Sequence, residues 1–128
     1  MKQIAFVCDK TPNFIGAWSM EKPGLCDRII EFFERNSHLH EAGVTQYGMN
    51  NSKKNSTDLV IFPKDLREST HAVFREYLFE LHQCYWDYLN QWRFLYDMQK
   101  DVDIGPFIIQ KYGVGGHFAV VHSERASL

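Results

Sequence analysis

His122 and Glu124 are the residues whose types and spacing promise chemistry. They sit two apart near the carboxyl end of Gly113-Val-Gly-Gly-His-Phe-Ala-Val-Val-His122-Ser-Glu124. A strand turns residues i and i+2 to the same face, so an imidazole and a carboxylate would converge on one ion. Two histidines and one carboxylate on an octahedral face bind ferrous iron and leave positions open for oxygen and a co-substrate. The pair therefore supplies two of three ligands. Only Arg125, Ala126, Ser127 and Leu128 follow Glu124, so a second histidine from a later strand is not within these residues.

The elements needed to hold such a pair can be read along the chain. Ile4 to Cys8 is a short apolar run of strand type, broken at Thr11-Pro12-Asn13. After Pro23-Gly24, Leu25, Ile29, Ile30, Phe32 and Phe33 repeat near helical spacing, which predicts a helix ending near Asn36. Ser37 to Thr57 is polar and loop-like. Asp58 to Phe62 predicts a strand closed by Pro63. From about Ser69 to Tyr96 the apolar positions Phe74, Leu78, Leu81, Tyr85, Tyr88 and Leu89 advance in threes and fours, the mark of one long helix with Ser69 or Thr70 as its N-cap. Ile104 to Tyr112 and Phe118 to Glu124 predict two last strands around Gly113-Val-Gly-Gly116. This order is α+β, with helices supporting an antiparallel sheet.

On the final strand Phe118, Val120, His122 and Glu124 share a face, so two metal-competent groups finish an apolar inward row. A buried, unpaired carboxylate would cost several kcal/mol, which an ion or hydrogen bonds would offset. His117 lies at odd separation from His122 and points to the other face. His38 and His40 form an H-x-H pair in a solvated loop. The glycines are no phosphate loop, because no helix and no Lys-Ser/Thr pair follows them. Tyr112 and Gln110 share strand parity and would line the same pocket.

The segment Phe107-Ile-Ile-Gln-Lys-Tyr112-Gly-Val-Gly-Gly-His-Phe-Ala-Val-Val-His122-Ser-Glu124 resembles the first half of the catalytic core of Fe(II)/2-oxoglutarate dioxygenases of the prolyl 4-hydroxylase type, with its Tyr, Gly-rich turn, aromatic and H-x-D/E. The resemblance reaches back through the long helix to Lys54-Asn-Ser-Thr-Asp58. It implies an incomplete double-stranded β-helix, or jelly roll, with N-terminal supporting helices in a single domain over residues 1–128. His122 and Glu124 would be metal ligands, Glu replacing the commoner Asp. Tyr112 would bind 2-oxoglutarate, with Gln110 beside it. Fe(II), 2-oxoglutarate and ascorbate are the implied cofactors, and a small molecule or peptide the implied substrate. The family's distal histidine and its co-substrate-binding basic residue would lie beyond Leu128, so the chain is expected to be the N-terminal part of such an enzyme.

Two rival readings stand beside that one. In the first, the chain is a non-enzymatic α+β interaction module in which His122 and Glu124 pair with each other or with Arg125. In the second, ranked last, it is a metal hydrolase. A half-made barrel would leave a strand edge open to another chain, so a homo-oligomer is expected through that edge.

Composition narrows the setting. The chain has 128 residues, 45% apolar and 15% aromatic, which excludes disorder and bounds it to one domain. A net charge of -2 with interspersed signs argues against a nucleic-acid binder. The aromatic cluster from Tyr85 to Tyr96 has only Arg93 beside it and reads as core rather than a base-stacking platform. No apolar run nears the roughly 18 residues of a membrane span. Cys8, Cys26 and Cys84 form no C-x-x-C pair, and no signal-peptide pattern opens the chain, so a cytoplasmic protein is expected.

Overall fold

The computed structural model describes residues 2–5, 13–45, 47–98 and 102–121. It is a small α+β fold. The elements are β1 (Lys2–Gln3), β2 (Trp18–Ser19), α1 (Pro23–Arg35), β3 (Glu41–Ala42), β4 (Thr57–Ile61), α2 (Ala72–Gln91), α3 (Arg93–Met98) and β5 (Phe107–Lys111). The chain divides into two compact units, Met1–Phe32 with Pro63–Gly105, and Phe33–Phe62 with Pro106–Leu128.

The first unit is helical with a two-stranded antiparallel ribbon, β1 against β2. α1 begins at Pro23, whose fixed φ and missing N–H suit a first helical position. Its Leu25 is buried, and Phe32 meets Phe74 of α2 edge to face at 4.8 Å. Lys22 Nζ reaches Glu80 Oε1 at 2.6 Å and an Arg28 guanidinium nitrogen reaches Glu76 Oε2 at 2.6 Å. Glu80 can therefore be buried on α2 beside Val73, Phe74 and Leu89. Leu81, expected on the buried face, is exposed.

The long helix differs from expectation at both ends. Ser69–His71 form a 3-10 turn, and His71 takes the N-cap position without a side-chain capping bond. Arg75 donates instead to the carbonyl of Glu68 at 2.7 Å and so closes that turn. At the other end Trp92 leaves the helical region, with φ -118 and ψ 69, and separates α2 from α3. Phe14 explains the break. Its ring packs on Trp92 at 5.1 Å and Phe94 at 5.4 Å, and its carbonyl accepts from the Tyr88 hydroxyl at 2.7 Å. Phe14 itself holds a left-handed φ of 54, a strained conformation for an aromatic residue.

The second unit is an antiparallel sheet in the order β3-β4-β5. β4 pairs with β5 from Thr57↔Lys111 through Asp58↔Gln110, Leu59↔Ile109 and Val60↔Ile108 to Ile61↔Phe107. Strand alternation then sorts the sheet into two faces. Leu59 and Ile61, 0% and 1% exposed, mark the core face, where Lys111 Nζ also lies 5.9 Å from the Phe33 ring and bonds Glu34. Asp58, Val60, Ile108 and Gln110 take the other face.

The jelly-roll expectation is overturned. Among the described residues the two sheets hold two and three strands, and both are open. β3 is only two residues long, and β5 ends at Lys111, where the chain turns through Gly113–Gly116 with Gly116 N–H donating to the Gly113 carbonyl at 2.8 Å. Three short strands cannot tilt round to close on themselves. Of the strand expected from Phe118 to Glu124, the described residues 118–121 show a single bridge, Lys54↔Phe118, with residues 119–121 outside any strand. His122 and Glu124 lie outside the described residues, as do Phe6–Cys8 of the strand expected from Ile4 to Cys8; its Ile4 and Ala5 follow β1, which ends at Gln3, and are in no strand. Among the described residues no helix is long and apolar enough to cross a membrane.

Candidate functional site

The most developed polar arrangement among the described residues is at the start of β4. Lys54, Ser56 and Asp58 alternate along the chain as it enters the strand, so their side chains gather on one side. Lys54 Nζ donates to Asp58 Oδ2 at 2.7 Å, and Ser56 Oγ donates to Asp58 Oδ1 at 2.7 Å. Gln110, directly opposite Asp58 on β5, donates from Nε2 to Oδ2 at 3.3 Å. The Tyr112 hydroxyl continues the chain with a long 3.4 Å bond to Gln110 Oε1. Lys54 and Asp58 are only 4% and 5% exposed.

Neighbouring backbone keeps water from the pair. A Cβ at Gly43 would stand 2.1 Å from Ser56 Oγ and 3.0 Å from Lys54 Cε, so any side chain there would have to displace the Ser56 hydroxyl. The Phe118 ring lies 5.6 Å from Lys54 Nζ, within reach of a cation-π contact. The turn ahead of Lys54 is built by Asn50. Its carbonyl accepts from the Lys53 and Lys54 amides at 2.9 Å, and its side chain accepts from the Ser52 amide and hydroxyl at 3.1 and 2.7 Å.

Of the residues expected to form a site, Gln110 and Tyr112 therefore belong to one hydrogen-bonded chain ending on Asp58. They stand on the open face, with Tyr112 40% exposed. His122 and Glu124 lie outside the described residues. Among the described residues no group of three or more His, Cys, Asp or Glu side chains could hold a metal ion. The dioxygenase reading is accordingly corrected: the sheet that would carry its chemistry does not curl into a barrel, and no metal-binding cluster stands among the described residues. Fe(II), 2-oxoglutarate and ascorbate entered only through that resemblance.

The buried Lys54–Asp58 pair was readable in principle. A Lys-x-Ser-x-Asp alternation running into an apolar strand puts two opposite charges and a hydroxyl on one side, which a solvated loop does not require. His117 carried a weaker signal. Both of its ring nitrogens face carbonyls, Nδ1 that of Gly115 at 3.1 Å and Nε2 that of Ser52 at 3.2 Å.

Comparison with family models gives no match, and neither does comparison with curated proteins or with solved structures. No family is assigned.

Proposed function

We propose that this chain is a protein-interaction module that takes up an extended polypeptide segment along β5. The observation that carries the reading is the position of β5, a five-residue strand at the edge of an open three-stranded sheet. An edge strand is a template for a further strand: main-chain bonds give affinity, and side chains at alternate positions give selectivity. Ile108, Gln110 and Tyr112 are such a set. Ile108 is 50% exposed, an apolar contact at one end of the row, and Tyr112 offers a ring and a hydroxyl at the other. Gln110 is fixed by Asp58 between them.

The buried pair supports this reading as a foundation. By fixing Gln110 and the entry to β4, it holds the register of the strand on which β5 depends. A cytoplasmic setting belongs to the same proposal, and it is supported by Cys26 and Cys84, which carry free thiols.

Selection of a random peptide library on the purified chain, followed by amide hydrogen exchange with and without the selected peptide, tests the proposal. Extended peptides with alternating apolar residues should be recovered and should slow exchange across Phe107–Lys111. Ile108→Lys should weaken them at least about tenfold, since a charge at an edge opposes strand addition. Protection confined to α1, α2 or α3, or a library yielding no binder, would overturn it.

A further inference from the structure

The segment after β5 returns to the loop before β4 as a strap. Asn55 N–H donates to the His117 carbonyl at 2.8 Å, and Ala119 N–H donates to the Lys53 carbonyl at 2.8 Å. Between these bonds lies the Lys54↔Phe118 bridge. The approach is close: a Cβ at Gly116 would be 2.9 Å from the Asn55 carbonyl oxygen. With Phe118 beside Lys54, the strap covers the buried ion pair.

His117 adds a clasp of a particular kind. Its Nδ1 faces the Gly115 carbonyl at 3.1 Å and its Nε2 faces the Ser52 carbonyl at 3.2 Å. A carbonyl oxygen can only accept. Neutral imidazole has one N–H and one lone pair, so it can satisfy one of these oxygens and must turn a lone pair towards the other. Only the imidazolium donates to both. The geometry points to a pH-sensitive strap, in which protonated His117 clasps residues 113–119 to residues 52–55 and deprotonation loosens them.

The groups around the clasp leave this proton under the control of the carbonyls. On the loop, Lys53 Nζ is placed over the Tyr47 ring at 5.7 Å, and Lys54 is committed to Asp58 of β4. On the strap side, Tyr112 bonds Gln110, and Lys111 is bonded to Glu34. The Gly115 carbonyl, and after it the Ser52 carbonyl, hold the His117 pKa above its ordinary 6.5 against a lowering by desolvation. The sign follows. A raised folded pKa means that the clasp contributes fully below the ordinary histidine value and is lost as pH rises through the raised one.

The test is NMR on the full chain between about pH 5.5 and about pH 8.5, a range spanning histidine titration. The His117 ring is titrated by its carbon-bound protons, and exchange at the Asn55 and Ala119 amides is measured and corrected for intrinsic base catalysis. His117 should titrate above the ordinary value, and protection at both amides should fall about two- to tenfold across its titration, the scale of one hydrogen bond. In His117→Gln, whose amide has no titrating proton, protection should be low and independent of pH. A His117 titrating at or below the ordinary value, protection that does not change with pH, or a fall that persists in His117→Gln would each overturn the strap.

Discussion

Lys54 and Asp58 bury an ion pair at the root of β4, Nζ to Oδ2 2.7 Å, and every other polar contact of Asp58 described above comes from a residue that helps to shape the sheet. Burial of two charges is compensated only while both are present. Asp58→Asn or Lys54→Met should therefore destabilise the chain by about 3–5 kcal/mol, because each leaves an uncompensated group under the strap. The double variant Lys54→Met, Asp58→Leu should recover much of that loss. Urea unfolding of the three proteins measures this, and single variants within experimental error of the parent would show that the pair is solvated in solution.

Gly43 allows the cluster to close. Gly43→Ala would push its methyl into Ser56 Oγ and Lys54 Cε, 2.1 and 3.0 Å from the Cβ position. The expected cost is about 1–3 kcal/mol, typical of overpacking. Because the displaced hydroxyl is the one that donates to Asp58, Ser56→Ala and Gly43→Ala should be non-additive, with the double variant less destabilised than the sum. A double-mutant cycle from thermal or urea unfolding reads this directly.

The two faces of the sheet should respond differently to the same truncation. Leu59 is fully buried, so Leu59→Ala should cost about 2–5 kcal/mol. Ile108 is half exposed on the opposite face, and Ile108→Ala should cost less than about 1 kcal/mol, while still weakening a peptide bound along β5. Equal costs would mean that the second face is packed as tightly as the first.

The ion pairs of the helical unit give a pH signature of their own. Hydrogen bonding to Arg28, then its charge, with Lys22 adding to both, holds the Glu76 carboxyl below its ordinary 4.5. The stability this contributes is present above that ordinary value and is lost as pH falls through the depressed one. Lys22 is raised above 10.5, chiefly by its hydrogen bond to Glu80, so its contribution is present below 10.5 and lost at more alkaline pH. Glu76→Gln should be less stable than the parent at neutral pH and should converge with it on acidification. Since these groups are at the surface, added salt should narrow the gap. Unfolding curves from acid to neutral pH, at low and high salt, check both statements.

Local signals in the sequence located the elements well where periodicity was strong and poorly where distant contacts decide. Pro23 and the spacing of Leu25, Ile29 and Phe33 mark α1 to within a residue of its end at Arg35. Asp58 to Phe62 differs from β4 by one residue at each end. The break at Trp92 was invisible, because Phe14 lies far away in sequence and acts through ring packing and a carbonyl. The jelly roll failed for a related reason. Alternation at Phe118 and Val120 fits a strand, but strand formation needs a paired neighbour along its length, and among the described residues the pairing there is the single bridge Lys54↔Phe118. A motif's residue types also say nothing of sheet closure, which depends on strand number and length. Gln110 and Tyr112 share strand parity, as read, yet the group they run to is the carboxylate of Asp58, paired with Lys54.

The most direct test of the account is an NMR structure of the chain bound to a peptide selected on it, read through intermolecular amide and α-proton contacts. The account predicts a regular ladder of such contacts along Phe107–Lys111, with the peptide side chains alternating against Ile108 and Tyr112. Contacts that bypass β5 and fall on another surface would contradict it.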